Sequence, residues 1–239
     1  MRVYSKKNKN KSEFLIKVDN TRFNNFYPPK IIFWYHEIYN RSLLKISHMN
    51  QNKLQKLYIT ALPISSKNIF YIKSAKKFVP GNGNTYSQIV FIGEAPGANE
   101  EIQGIPFCGQ SGKLLRLYLA KYNFSNQNSF ITNVVKFRPP QNRKPTQLEI
   151  GIHGKLLKEE LAIIKPKIII PIGATATEFI LQKKITLTQV RGEIIMQKDI
   201  IIYPLFHPAY ILRNKNLLPL FENDIHNLQK ICIEHKIVF

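Results

Sequence analysis

Residues 88–97 read QIVFIGEAPG, an uninterrupted apolar run that ends in polar residues fixed by glycine and proline. Near-continuous runs of isoleucine and valine are typical of parallel strands that are buried on both faces of a sheet. The chain contains four such runs, at Gln88–Ile92, Ser129–Val135, Lys167–Ile172 and Ile200–Phe206. Stretches with helical spacing accompany them, at Gly112–Tyr122, Gln147–Ile164 and Ala174–Gln182. This alternation predicts an α/β fold, a three-layer α/β/α sandwich around a central, mainly parallel four-stranded sheet.

The chain is strongly basic, with a formal net charge of +20 over 239 residues. The first 90 residues hold 16 Lys and Arg against 3 Asp and Glu, and the remainder holds 19 against 12. Such an excess predicts a polyanionic partner, and a nucleic acid is favoured over an anionic membrane surface. An AT-rich genome, which also enriches lysine, asparagine and isoleucine, is the alternative explanation of this composition.

Cysteine is rare, because Cys108 and Cys232 are the two cysteines of the sequence and lie far apart. Such a pair forms neither a disulfide framework nor a Cys-x-x-Cys metal motif, which favours a reducing compartment. The sequence also shows no secretion leader and no run of about 18 apolar residues that could cross a membrane. We therefore expect a soluble, intracellular protein, cytoplasmic or nucleoid-associated, that works as a monomer.

Two regions are predicted along the chain. Residues 1–60 are expected to form a basic, partly disordered N-terminal extension, and residues 61–239 the α/β domain. Within the extension, residues 1–26 are basic and rich in asparagine, which is typical of a mobile arm. Aromatic and aliphatic residues over 31–46 predict a helix that docks on another surface.

Polar motifs follow three of the four predicted strands. Ligands of open parallel sheets bind beyond the carboxyl ends of the strands, so these motifs are expected to converge on one cleft. They read GEAPGANEE at 93–101, GIPFCGQSGKLL at 104–115, TNVVKFRPPQNR at 132–143 and HPAYILR at 207–213. Three loops fixed by glycine and proline indicate a site far more strongly than a single strand-to-glycine turn.

These segments resemble the uracil-DNA glycosylase superfamily, and most closely its family 4, the usually iron–sulfur bacterial and archaeal type. The signatures of that family read GEAPGxxED, GxPFxGxxGxLL, TNVVKCRPPxNRxP and HPAYxLR. The similarity runs in the same order and spacing from about Phe78 to Arg213, and residues 1–60 fall outside it. The resemblance implies an enzyme that hydrolyses the N-glycosidic bond of uracil in DNA and leaves an abasic site, which starts base excision repair.

Recognition of a flipped-out base is expected from Phe107 and Asn133. Phe107 can stack on the base, an interaction that contributes about 1–3 kcal/mol, although a core phenylalanine is the alternative. The Asn133 amide can donate to uracil O4 and accept from N3–H, whereas cytosine presents the opposite pattern, and in the family the matching Asn reads uracil. Gly93 and Gly97 are expected to let the backbone approach the base or a phosphate.

Catalysis is expected from His207 and Glu94. His207 follows a strand and precedes a proline, so it can donate to uracil O2 as negative charge develops there, and such donors contribute roughly 3–4 kcal/mol. Many members of the superfamily have an acid where this chain has Ala95, but family 4 keeps the neighbouring glutamate, here Glu94. Glu94 is therefore the candidate that positions water or steadies the cationic sugar, with Glu100 and Glu101 as alternatives.

DNA contacts are predicted for a cluster of cations beside these motifs, Lys136, Arg138, Arg143 and Arg213. A single lysine or arginine is usually a solvated surface charge, so the prediction rests on the cluster. Gly112 opens a predicted helix whose N-terminus could also take a phosphate.

One departure from the resemblance concerns the cofactor. Family 4 normally holds a [4Fe–4S] cluster on four cysteines, but Phe137 and His153 stand at two of those positions. The other two positions fall near Ser66 and Ile69. Because the two cysteines of the chain match none of the four positions, we predict no metal and no cofactor.

Two other readings of the sequence stay open. One is a glycosylase of the same superfamily with broader damaged-base specificity, such as hypoxanthine or mismatched bases. The other is a non-catalytic DNA-binding or replication accessory protein, against which the intact Asn133 and His207 argue. A small-molecule nucleotide enzyme is disfavoured, because GxGxxG and Walker patterns do not occur.

Overall fold

The computed structural model divides the chain into two compact units, Met1–Ile46 and Ser47–Phe239. The residues that it describes are 3–6, 15–18, 49–60 and 77–239. In the first unit two short strands, β1 (Val3–Lys6) and β2 (Leu15–Val18), pair antiparallel with Val3 opposite Val18. The rest of the arm expected over 1–26, and the helix expected over 31–46, lie outside the described residues.

A six-stranded sheet forms the centre of the second unit, in the order β3-β5-β4-β6-β8-β7. Its strands are β3 (Asn82–Gly83), β4 (Ile89–Gly93), β5 (Phe130–Asn133), β6 (Ile168–Pro171), β7 (Ile195–Gln197) and β8 (Ile200–Ile202). The four middle strands are parallel and fall within the four predicted runs or one residue beyond them. The predicted number of strands is corrected from four to six, because short antiparallel strands close both edges.

Eight α-helical segments lie in the described part of this unit. They are α1 (49–60), α2 (Ala98–Gln103), α3 (Gln110–Lys121), α4 (Gln147–Ile164), α5 (Ala174–Leu181), α6 (Leu187–Val190), α7 (Pro208–Arg213) and α8 (Leu218–Glu234). The three predicted helices correspond to α3, α4 and α5 and agree with them to within two residues at each end. In the described residues, no helix is long and apolar enough to cross a membrane.

The two faces of the sheet carry separate apolar layers, because neighbouring residues of a strand point to opposite sides. On one face Phe91 belongs to a buried cluster with residues of α3, α7 and α8. On the other face Val90 and Ile92 belong to a second buried cluster with residues of α1, α4 and α5. The predicted three-layer α/β/α sandwich is therefore confirmed.

Helix α1 belongs to the same compact unit as the sheet. Leu54 of this helix is 3% exposed and lies in the second apolar cluster. The unit begins at Ser47, before the boundary at residue 60 that the sequence suggests. A helix that precedes the segment resembling the glycosylases is thus part of the α/β domain.

Helix α3 begins against the backbone of the loop that carries Phe107, and a glycine makes this approach possible. A Cβ atom at Gly112 would lie 2.1 Å from the carbonyl oxygen of Phe107. No side chain fits at that distance, so the first turn of α3 and the Phe107 loop are held at a fixed separation.

We expect Gly112→Ala to lower the free energy of unfolding by about 1–3 kcal/mol, because a clash with backbone cannot be relieved by a change of rotamer. Gly151 of helix α4 is the matched control, since a Cβ there would meet no atom within 4 Å. Gly151→Ala should stabilise the protein by about 0.5–1 kcal/mol. Urea unfolding measures both changes, and an undiminished stability of Gly112→Ala would contradict the close approach.

Candidate active site

The carboxyl ends of the four parallel strands meet at one cleft of about 850 Å³. Gly93 lies opposite Asn133 in the parallel pairing of β4 with β5. The backbone N–H of Ile172 donates to Ile92 at 2.8 Å, and that of Gly173 donates to Leu205 at 2.9 Å. The loops after β4, β5, β6 and β8 therefore surround the same space, where the strand order reverses between β4 and β6.

The loop after β6 is a part of the cleft that the motif analysis missed. Gly173, Ala174 and Thr175 line the cleft together with the residues of the three predicted loops. Thr175 is 4% exposed, and its hydroxyl has no hydrogen-bond partner within the described part of the chain. In the sequence, Gly173 ends the third apolar run and signals this loop, but the predicted motifs did not include it.

Phe107 and Asn133 line the cleft, and both approach Gly93, which is buried and does not itself line it. A Cβ at Gly93 would lie 2.2 Å from Oδ1 of Asn133 and 2.6 Å from Cζ of Phe107. Only a residue without a side chain leaves room for both groups at this point. Gly97 differs, since a Cβ there would meet no atom within 4 Å and its position faces the open cleft.

The Phe107 ring lines the cleft but is only 2% exposed. Its backbone adopts a left-handed conformation with φ of 53°. Arg116 holds this turn, because its Nε donates to the Phe107 carbonyl at 3.0 Å and its Nη2 to the Pro106 carbonyl at 2.9 Å. Sequence reasoning missed Arg116, which stands on a helix nine residues from the loop that it fixes.

The Asn133 side chain is buried, at 2% exposed, and it lines the cleft. Within the described residues its Nδ2 has no hydrogen-bond partner. Buried amides are almost always hydrogen-bonded, so an unpaired one at the wall of a cleft points to a ligand that completes it. The Nδ2 of Asn133 suits a ligand that places a hydrogen-bond acceptor next to it.

His207 caps the start of α7, where its Nδ1 accepts a hydrogen bond from the backbone N–H of Ala209 at 3.2 Å. A ring nitrogen that accepts carries no proton, so the neutral ring has its proton on Nε2. Burial, with the cation of Arg213 as a second cause, lowers the pKa of His207 to about 4. Near neutral pH the cleft therefore holds an uncharged N–H donor, whose ring centroid lies 6.1 Å from that of Phe107.

Three carboxylates were candidates for handling water, and they occupy different surroundings. Glu94 is half-buried and lines the cleft. Glu100 is buried, and its Oε2 accepts from the backbone N–H of Gly97 at 3.1 Å. Burial raises the pKa of Glu100, while backbone hydrogen bonds from Gly97 and Phe107 act in the opposite direction. Glu101 pairs with Arg138 at 3.2 Å and does not line the cleft. Glu100 lines it as Glu94 does, and Glu94 is the less buried of these two carboxylates.

The expected DNA-binding cations divide into three groups. Lys136 is fully buried and pairs with Glu160, so the prediction that it contacts DNA is wrong. Arg138 does not line the cleft and binds Glu101. Arg143 lines the cleft while it makes a two-pronged contact with Glu149, at 2.6 and 2.8 Å. Arg213 is exposed at the rim.

A second groove of about 410 Å³ adjoins the cleft through Lys144 and Thr175, which line both. It runs between helices α4 and α5. Its cations are Lys144, Lys158, Lys183 and Lys184, of which Lys184 pairs with Glu178 at 3.1 Å. The sequence motifs gave no indication of this lysine groove, because its residues come from separate elements.

The iron–sulfur cluster that the resemblance implies does not fit the residues of this structure. Phe137 packs against Phe78 and His153, with ring centroids 5.5 Å apart in both pairs. Cys232 is fully buried in the apolar core, and Cys108 lies in the Phe107 loop. In the described part of the chain, no three His, Cys, Asp or Glu residues are grouped to hold a metal ion. The positions near Ser66 and Ile69 lie outside it.

Comparison with known sequences shows the family of the chain. Residues 80–229 match the family described as the uracil DNA glycosylase superfamily. A type-4 uracil-DNA glycosylase of Sulfurisphaera tokodaii is 40% identical over 167 residues, which cover 66% of this chain and 76% of that protein. Type-4 enzymes of Archaeoglobus fulgidus (36% identical; 67% of this chain, 84% of theirs) and Thermotoga maritima (43%; 58% and 73%) are also similar.

The chain therefore belongs to the uracil-DNA glycosylase superfamily. Within that superfamily it is similar to type-4 enzymes, which confirms the resemblance read from the motifs. The match begins at residue 80, so helix α1 precedes it.

The state of His207 is open to direct measurement. We expect nitrogen-15 NMR at pH 7 to show a neutral ring protonated at Nε2, with a titration midpoint at about 4 instead of 6.5. Between pH 4 and 6.5 the unfolded chain binds a proton at His207 that the folded protein does not bind. The contribution of neutral His207 to the free energy of unfolding is therefore complete above pH 6.5 and is lost as the pH falls towards 4. A midpoint near 6.5, or a proton on Nδ1, would contradict the capping geometry.

Proposed function

We propose that this protein is a uracil-DNA glycosylase that hydrolyses the N-glycosidic bond of uracil in DNA and leaves an abasic site for base excision repair. The observation that carries the proposal is the unpaired, buried amide of Asn133 at the wall of a cleft that also holds Phe107 and a neutral His207. A cleft of about 850 Å³ has room for a flipped-out nucleotide.

The uracil edge would be read by Asn133. Its unpaired Nδ2 donates to uracil O4, and its Oδ1 accepts from N3–H. Cytosine presents a donor where uracil presents O4, so the same amide rejects it. Phe107 contributes one apolar wall against the ring, in a position fixed by the hydrogen bonds from Arg116.

Bond cleavage would use His207 as a neutral donor. As the bond between C1′ and N1 breaks, its electron pair stays with uracil and negative charge reaches O2. The Nε2–H of His207 donates to O2, and a donor held in place before the reaction favours the transition state. The His207 ring is neutral before the reaction and keeps its proton on Nε2. Its hydrogen bond to O2 therefore strengthens as negative charge develops on that oxygen.

The water step is assigned to Glu94, which lines the cleft. The water oxygen forms the new bond to C1′ while Glu94 accepts a hydrogen bond, and then the proton, from this water. The uracil anion takes a proton from solvent after it leaves. Glu94 also lies close to the cationic sugar in this arrangement, where a carboxylate is favourable.

DNA would lie across the mouth of the cleft, beside Arg213 and Arg143, and one flank would continue over Lys144 into the lysine groove. Phosphate contacts of this kind position the duplex or single strand without reading sequence. Arg138 lies outside the cleft and its charge is paired with Glu101, so a contact of Arg138 with DNA stays a proposal from the sequence. One chain supplies every residue of this arrangement, which supports our proposal that the protein acts as a monomer. From the number and positions of its cysteines we also propose an intracellular protein without a cofactor.

The direct test is a glycosylase assay on single- and double-stranded oligonucleotides that contain one uracil, followed by alkaline cleavage of abasic sites. Hypoxanthine and mismatched thymine in the same sequence measure broader specificity. His207→Ala is the control for contaminating activity. Binding without release of any base would favour the accessory-protein alternative and would overturn the proposal.

We expect Asn133→Asp to weaken the discrimination between uracil and cytosine, because a carboxylate cannot donate to O4 of uracil. Loss of one good base contact corresponds to about 1–3 kcal/mol of discrimination. Excision from uracil and cytosine oligonucleotides of equal sequence measures the ratio. Undiminished uracil excision, together with no release of cytosine, would rule out Asn133 as the reader.

The lysine groove predicts a second measurable effect. Replacing Lys158 and Lys183 by alanine should reduce the salt dependence of DNA binding by about one unit of slope per lost phosphate contact, while excision at saturating enzyme stays unchanged. Lys198→Ala is the matched control, because this exposed lysine lies in the β7–β8 turn at the opposite end of the sheet. Equal slopes for all variants would place the DNA elsewhere.

A further inference from the structure

A buried ionic network lies behind the strand that carries Asn133. Lys136 and Glu160 are both 0% exposed, and Nζ of Lys136 lies 2.5 Å from Oε2 of Glu160. The hydroxyl of Thr132 donates to the same carboxylate oxygen at 3.1 Å. Burial of two charges is unfavourable unless further hydrogen bonds satisfy them, so the partners of this pair matter for stability.

Tyr58 of helix α1 completes the network from outside the glycosylase match. Its hydroxyl donates to Oε1 of Glu160 and accepts the backbone N–H of Gly81 at 3.2 Å. The Tyr58 hydroxyl thus joins three segments: α1, the turn before β3, and α4. Through Glu160 it also reaches Thr132, the residue before Asn133.

Thr132 and Asn133 connect this network to the base-binding cleft. Neighbouring residues of a strand point to opposite faces of the sheet. Thr132 points towards Glu160 of α4, whereas Asn133 points into the cleft beside Gly93. The contact of Thr132 with Glu160 therefore acts on the strand backbone next to Asn133.

A row of aromatic rings accompanies the network. The Tyr58 ring lies 5.4 Å from that of Phe78, and the Phe137 ring lies 5.5 Å from those of both Phe78 and His153. Phe137 and His153 stand at two positions where the resemblance implies cluster cysteines. His153 and Glu160 are seven residues apart on α4, which places them on the same face of the helix. The aromatic row and the ionic network thus pack side by side on α4.

We propose that Tyr58, with the aromatic row and the Lys136–Glu160 pair, takes the place of an iron–sulfur cluster in this chain, and that Tyr58 is a positioning residue for Asn133. Two of the four cluster positions implied by the resemblance, Phe137 after β5 and His153 on helix α4, belong to this row, and the other two fall near Ser66 and Ile69, outside the described residues. Here hydrogen bonds and rings join β5 and its end to helix α4, and Tyr58 of α1 adds the turn before β3. The inference about Asn133 rests on the proposed function.

Tyr58→Phe tests the hydrogen bonds, since it keeps the ring on Phe78 and leaves Oε1 of Glu160 and the N–H of Gly81 without the hydroxyl. We expect the single-turnover rate of uracil excision to fall about tenfold at a temperature where the variant is fully folded, with little change in the KM for DNA. Tyr118→Phe is the control, because that ring packs on Phe221 at the other face of the sheet.

A second readout does not depend on catalysis. The NMR signals of the Asn133 side-chain amide should shift in Tyr58→Phe and stay in place in Tyr118→Phe. A lower melting temperature with unchanged amide signals and an unchanged rate of excision would show a purely structural role and would overturn the positioning of Asn133.

Iron content tests the replacement of the cluster. The full chain, prepared anaerobically from iron-supplemented cells, should contain no stoichiometric iron and should lack broad absorbance near 400 nm. About four iron atoms per chain would overturn the replacement, because they would amount to the cluster itself. If the parent protein releases no uracil, the proposed function fails, while the amide signals and the iron content still decide this inference.

Discussion

The missing side chain at Gly93 is the constraint on which the rest of the site depends. Parallel pairing places this residue opposite Asn133, and a Cβ there would overlap both the Asn133 amide and the Phe107 ring. The amide and the ring can therefore converge only where the strand β4 has no substituent. The pairing that builds the core thus also places Asn133, one of the two groups proposed to face the base, opposite Gly93.

The electrostatics of the cleft differ from those of the whole chain. The protein carries a net charge of +20, yet the cleft floor holds an amide, an aromatic ring and a histidine whose pKa is lowered to about 4. The cations stand at the rim and in the lysine groove. This division suits a polyanionic substrate with an uncharged base. The cations attract the phosphate backbone, and the neutral donors stabilise the negative charge that develops on the base during the reaction.

The sequence predicted the parallel strands well, because a strand buried on both faces leaves a continuous apolar run such as Ile89–Gly93. It did not predict the edge strands, since Asn82–Gly83 and Ile195–Gln197 are two and three residues long and partly exposed. Helix Leu218–Glu234 was also missed, although it supplies much of one apolar layer. Of the site, the motifs located Phe107, Asn133 and His207, but not the loop after β6.

Lys136 shows why adjacency in a motif does not decide what a side chain contacts. It follows Asn133 by three residues, yet it points into the protein and neutralises Glu160, while Asn133 lines the cleft. The two walls of the cleft consequently have different supports. Arg116 and Glu100 hold the Phe107 wall through backbone contacts made within the segment that matches the superfamily. Behind the Asn133 wall lies the buried Lys136–Glu160 pair, in which Glu160 accepts a hydrogen bond from Tyr58, a residue before that segment.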